Sequence, residues 1–247
     1  MSAILLGCML GLAQGMRHAL EPDHVTAVST LVAGQRTPRR IVSFAAIWGL
    51  GHALTLLVVG GALALFRAQM PAQLADVFEL IVAFMLVALG VRALAKARAQ
   101  SKAKSPAPHS HAHSHSQDGA HTHTPMNTHD LPRASAGMRA QPLGVGIVHG
   151  LAGSGALAAL ATASFASRGA GVLFIAIYGA GAAVGMALLA GAAVLPMARI
   201  AKSAKASAIL MGAAGLLSIA LGAAWGWPVA TRLAEGAASA ASALASP

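Results

Sequence analysis

The stretch Arg17-His18-Ala19-Leu20-Glu21-Pro22-Asp23-His24 decides how the chain is read. Two histidines and two carboxylates stand close together here, between apolar residues 1–16 and mostly apolar residues 25–34. Ionisable side chains in a membrane-type segment are costly, and they mark function by default. Pro22 stands among them. In a continuous helix it would remove the hydrogen bond to the carbonyl of His18, four residues back. The sequence therefore predicts a helix broken near Pro22, with the polar side chains gathered at the break.

The composition fixes the class of protein around that stretch. The chain has 247 residues, of which 56% are hydrophobic and 10% charged, with a mean hydropathy of +0.67. Such a chain lacks the polar side chains that a water-soluble domain of this size would need on its surface. Apolar runs at 41–66, 77–94, 144–164, 171–197 and 209–229 are each close to or above the roughly 20 residues that cross a bilayer as a helix. The expected fold is all-α, a polytopic membrane protein with six spans at about 2–33, 41–66, 75–95, 142–166, 169–195 and 207–228. As one straight helix the first would measure about 48 Å against a hydrocarbon core of about 30 Å, so an interruption is needed on length alone.

Charge sets the expected orientation. The net charge is +10 with histidine neutral, but the basic residues flank apolar spans, which points to membrane topology and not to nucleic acid. Arg36, Arg39 and Arg40 follow the first span. Arg92, Lys96, Arg98, Lys102, Lys104, Arg133 and Arg139 lie around the third connection, and Arg199, Lys202 and Lys205 around the fifth. The opposite side carries only Arg67, Arg168 and Arg232. The first set is expected on the cytoplasmic side, with both termini outside. The single cysteine, Cys8, excludes a disulfide within the chain. The start lacks the basic flank of a cleaved signal peptide.

The chain divides into a first three-helix unit at 1–95, a connection at 96–140, a second unit at 141–228 and a short Ala-rich tail at 229–247. The connection holds His109, His111, His113, His115, His121, His123 and His129 among Ser, Pro, Ala and Gly. It reads as a disordered, histidine-rich cytoplasmic loop able to chelate borderline metals weakly and reversibly. The two units resemble each other. Trp48-Gly49-Leu50-Gly51-His52-Ala53 aligns with Tyr178-Gly179-Ala180-Gly181-Ala182-Ala183, Gly15 to Leu20 with Gly146 to Leu151, and Ala88-Leu89-Gly90 with Ala220-Leu221-Gly222. The offsets are 130, 131 and 132 residues. Three spans per unit gives the halves opposite topology, a 3+3 inverted repeat of the transporter type.

His18, Asp23 and His24 are the first candidate ligands. Imidazole with carboxylate suits Ni²⁺, Co²⁺, Zn²⁺ or Cu²⁺, and the lack of thiolate argues against Cu(I). Glu21, three residues after His18, can share its helix face. A purely structural Asp–His or Arg17–Glu21 pair is the alternative for this cluster. His52 follows Gly49-Leu50-Gly51, where glycines permit close helix approach, with Thr55 one turn on. His149 is the repeat counterpart of His18, but Glu21, Asp23 and His24 map onto Ala152, Ser154 and Gly155. One asymmetric site near the interface of the halves is the natural reading. Asp76 and Glu79 are expected at the membrane edge.

His18-Ala19-Leu20-Glu21-Pro22-Asp23-His24 matches the His-x4-Asp-His signature of the nickel/cobalt transporter superfamily. Val25 to Thr30, Trp48-Gly49-Leu50-Gly51-His52 and His149-Gly150-Leu151-Ala152-Gly153-Ser154 resemble its short six-span branch of urease-accessory and high-affinity-nickel-permease-like proteins. The resemblance implies Ni²⁺ or Co²⁺ as transported substrate with no permanently bound cofactor. It also implies His18, Asp23 and His24 as recognition residues, with His52 in a second motif. Cytoplasmic metallochaperones of urease or hydrogenase maturation become partners by the same implication. Glu21 departs from the Asp common in the family.

Two other classes compete. Ser154 beside His149 suggests a membrane-embedded hydrolase, yet His-Glu-x-x-His and the Gly-x-Ser-Gly spacing of intramembrane serine proteases are absent from the sequence. An exporter of a small anion such as sulfite should present converging Arg or Lys, whereas residues 17–24 hold one Arg and two carboxylates. The sequence has no Gly-x4-Gly-Lys-Ser/Thr loop. Coupling would therefore fall to an ion gradient or a separate subunit.

Overall fold

The computed structural model describes residues 3–32, 38–102, 136–200 and 203–245, all of whose regular elements are helical. Helix α1 (Ala3–His18) ends where the first candidate ligand stands, and α2 (Pro22–Val32) begins at the proline. Between them the Leu20 N–H donates to Arg17 O (2.9 Å) and the Glu21 N–H to His18 O (3.0 Å). The His18 carbonyl, which Pro22 could not serve, is thus satisfied by a tight turn. Pro22 opens α2, a position where its missing N–H has no intrahelical partner to lose.

α3 (Pro38–Thr55) runs through a π turn (Leu56–Gly60) into α4 (Gly61–Phe66). Three unbroken helices follow the 66–72 corner: α5 (Ala72–Lys102), α6 (Ala136–Ser164) and α7 (Arg168–Ile200). The last is α8 (Ala204–Ala245). Among the described residues, five stretches are long and apolar enough to cross a membrane: Arg39–Phe66, Ala72–Ser101, Ala140–Ser164, Arg168–Ala193 and Lys205–Ala243. The chain is an all-α, multi-pass membrane protein. α1 and α2 are each too short to be counted among those five.

Helix replaces loop or tail at three expected boundaries. α5 continues to Lys102 and α6 starts at Ala136, taking over both edges of the 96–140 connection. Residues 103–135, with all seven loop histidines, lie outside the described residues. α8 passes through Pro228 instead of stopping there, because a proline costs an apolar helix one bond but need not end it. At 42 residues α8 is about 63 Å long, well beyond the bilayer core.

The packing follows the sequence offsets. α1 lies on α7 and α3 on α6, while α3 meets α7 and α5 meets α8. Gly15 of α1 faces the carbonyl of Tyr178 and the N–H of Ala182, and Gly146 of α6 faces the carbonyl of Trp48 and the N–H of His52. These contacts exchange under offsets of 130 and 131 residues. A side chain at either glycine would meet main chain, so the close crossing requires its absence. At the α5–α8 crossing the Ser218 hydroxyl donates to Leu86 O (2.7 Å), between positions 132 residues apart.

Two apolar clusters bracket the middle of the bundle. One gathers Ala27, Ile41, Trp48, Leu86 and Met186, the other Leu56, Leu157, Ala161, Phe174 and Ile175. His52 stands between them on α3, one turn from Trp48 and one from Leu56. Outward-facing Leu50, Leu188 and Leu216 present the apolar surface that lipid, not water, solvates.

Candidate metal centre

The break at 19–21 brings two helix ends to one place. The C-terminus of α1 offers partial negative charge beside His18, and the N-terminus of α2 favours the Asp23 carboxylate in its first turn. Asp23 (5% exposed) and His24 (1%) are buried, as are His52 (0%) of α3 and His149 (2%) of α6.

Asp23 is the hub. Its Oδ1 lies 3.1 Å from His24 Nδ1 and its Oδ2 lies 2.7 Å from His149 Nε2. The ring of His24 is 4.4 Å from that of His18, 5.1 Å from His52 and 4.1 Å from His149 between centroids. Four histidines from four helices therefore surround one point, and His149 joins its counterpart from the other half. His18 Nδ1 is 2.9 Å from Glu21 Oε2, an interaction that orients its ring and leaves Nε2 inward.

The nitrogens that remain define the chemistry. His18 Nε2, His24 Nε2, both nitrogens of His52 and His149 Nδ1 are buried with no hydrogen-bond partner among the described residues. An unsatisfied buried polar atom costs about 1–3 kcal/mol, so these nitrogens are the candidates to bind a ligand. Two groups could hold a metal ion: His18, His24 and His52, and Asp23, His24 and His149. Within each group, one ligand atom per residue lies within 4.8 Å of the others. Imidazole and carboxylate are the donors that borderline divalent ions favour.

A cavity of about 120 Å³ opens on this cluster, lined by His18, Glu21, Asp23, His24, Glu79 and His149 among others. None of its lining residues is Lys or Arg. Glu21 lines it without belonging to either metal group; its side chain is 48% exposed. Glu79 reaches it from α5, so its place is the cavity wall, with Arg232 3.7 Å from its carboxylate. Asp76 is held outside by Arg232 at 2.6 Å.

Other candidates have local partners. The Ser154 hydroxyl donates to Leu151 O (2.8 Å) and the Thr55 hydroxyl to Gly51 O (3.0 Å), each within its own helix. Sequence reasoning passed over the walls. Trp48 is fully buried, with ring centroids 5.7 Å from His24 and 5.8 Å from His149, and Tyr178 stands 5.6 Å from His18. The spacing of Trp48 and His52, one turn apart on a shared helix face, was the available signal. The π turn directly after Thr55 had none, although such turns are frequent at functional sites.

Comparison with known proteins follows the same direction. A family described as high-affinity nickel-transport protein matches residues 1–224. The urease accessory protein UreH of Bacillus sp. (strain TB-90) is 31% identical over 178 residues, covering 72% of this chain and 71% of that protein. No solved structure matches the chain. With the family match running through every described helix but the end of α8, the chain belongs to the high-affinity nickel-transport family, whose members are membrane transporters and not enzymes.

Proposed function

We propose that the chain carries Ni²⁺ or Co²⁺ through a bacterial inner membrane, binding the dehydrated ion among His18, Asp23, His24, His52 and His149. The cavity is the observation that supports this reading most. Three carboxylates and three histidines line it without any Lys or Arg, a wall suited to a cation and opposed to an anion such as sulfite. The unpartnered imidazole nitrogens beside it offer the inner ligands that replace water around the ion.

The Asp23 carboxylate offsets part of the ion's charge, without which transfer into an apolar interior is prohibitive. The two units, 1–95 and 141–228, act as inverted halves whose relative rocking alternates access to the ion. Trp48 and Leu56, one turn to either side of His52, belong to the apolar clusters that seal the chamber in turn. The arginine-rich connections face the cytoplasm, where the histidine-rich segment 103–135 buffers the metal and hands it to metallochaperones.

Cells expressing the wild type or His18→Ala, loaded with radionickel or radiocobalt, test this reading. A change in accumulation with the wild type that disappears in His18→Ala supports it, and the sign of the change separates uptake from efflux. Equal accumulation in both cells and in cells without the protein removes it.

A further inference from the structure

Resting on the transport reading above, we propose that the chamber holds one ion at two overlapping positions in turn. Asp23, His24 and His149 form an outer position and His18, His24 and His52 an inner one, with His24 the ligand common to both.

The two groups share one residue, His24. On the outer side His24 presents Nδ1, which stands 3.1 Å from Asp23 Oδ1. The nitrogen left for the inner side is Nε2, buried without a partner. A neutral imidazole carries one lone pair available to a metal at a time. His24 therefore serves one position or the other, and the chamber does not fill with two ions. Two divalent charges a few ångströms apart in a low-dielectric interior would also repel strongly.

The positions differ in depth and in charge. All three outer ligands line the cavity, as does His18 of the inner set, whereas His52 does not and is 0% exposed. An ion arriving from the cavity reaches the complete outer set before it reaches His52. The outer set includes a carboxylate and the inner set is imidazole alone, so the outer position binds more tightly and the inner one lets go more readily. An ion crossing between them exchanges Asp23 and His149 for His18 and His52 and passes from one nitrogen of the His24 ring to the other, the ring proton moving the opposite way. Each set keeps a support when the ion is absent: His149 on Asp23 at 2.7 Å and His18 on Glu21 at 2.9 Å. His52 has no such support among the described residues, as expected of a ligand used only in passing.

The test compares His52→Gln with Asp23→Asn in the purified full chain. Nickel binding is measured by titration calorimetry, the ligand set by X-ray absorption, and flux in proteoliposomes loaded with radionickel. The expected result for His52→Gln is binding within about threefold of wild type with carboxylate oxygen still in the shell, and flux reduced by tenfold or more. Asp23→Asn should weaken binding by at least a hundredfold. Equal loss of affinity in the two variants means one undivided site and overturns the proposal, as does wild-type flux in His52→Gln. His18→Gln, on the other helix, repeats the inner-position test if His52→Gln does not fold. A wild type that neither binds nor moves nickel removes the transport reading itself, a result separate from either variant's.

Discussion

Residues 17–24 and 148–155 stand at matching places in the two halves, 131 residues apart, and the chain treats them in opposite ways. The first is two helix ends joined by a turn, with Glu21, Asp23 and His24 added to a histidine. The second is uninterrupted helix, with Ala152, Ser154 and Gly155 at those positions. A second contrast runs parallel. α3 leaves regular geometry in a π turn at Leu56–Gly60, whereas the matching residues 186–190 of α7 are ordinary helix. Helix packing therefore requires neither irregularity. Both are confined to the half that supplies most of the candidate ligands, and His149 is the one candidate from the regular half.

The largest expected effect comes from the shared ligand: His24→Gln should reduce nickel flux in proteoliposomes by about a hundredfold or more, since both groups lose a member. Making the first half resemble the second comes next. Pro22→Ala restores an N–H that can bond to His18 O and lets α1 run into α2; flux should fall by about tenfold. Its thermal unfolding midpoint in detergent should stay near the wild-type value, because Pro22 opens α2 at a position where it costs no hydrogen bond and the 19–21 turn makes its own. A fall in flux accompanied by a lower midpoint would mean the break is structural.

Gly15→Ala and Gly146→Ala probe what the halves have in common. Each inserts a methyl against a facing main chain and should destabilise by about 1–3 kcal/mol, to a similar degree in the two variants. Denaturant unfolding with both variants side by side reads this, and a large inequality would break the correspondence between the halves. Glu79→Gln should raise the KM for nickel about threefold with little change in maximal flux, as for a wall charge that attracts the ion without holding it. The smallest effect is expected for Ser154→Ala. It removes a hydroxyl bonded only within its helix, at less than about 1 kcal/mol in stability, with flux near wild type. Abolished flux in that variant would instead make Ser154 part of the transport machinery.

The ligand cluster was legible because charge in an apolar setting is conspicuous, and Pro22 marked where the helix changes. The repeat pointed to His149, and its contact with Asp23 followed. Glu79 was harder to place: along a long apolar helix, sequence position gives depth but not which neighbour a side chain faces. The extension of α8 past Pro228, through the stretch expected as an Ala-rich tail, is hidden for a related reason. Proline normally ends helices in water, where freed main-chain groups have a better partner than they find among packed helices. The π turn left no trace, since a shifted hydrogen-bond register needs no particular residue type.

The central claim is that a divalent ion is held at the break, and equilibrium nickel binding to purified wild type and His24→Gln tests it most directly. The account predicts one ion per chain in the wild type and an affinity at least about a hundredfold weaker in His24→Gln. Equal affinity and stoichiometry in the two proteins would contradict it.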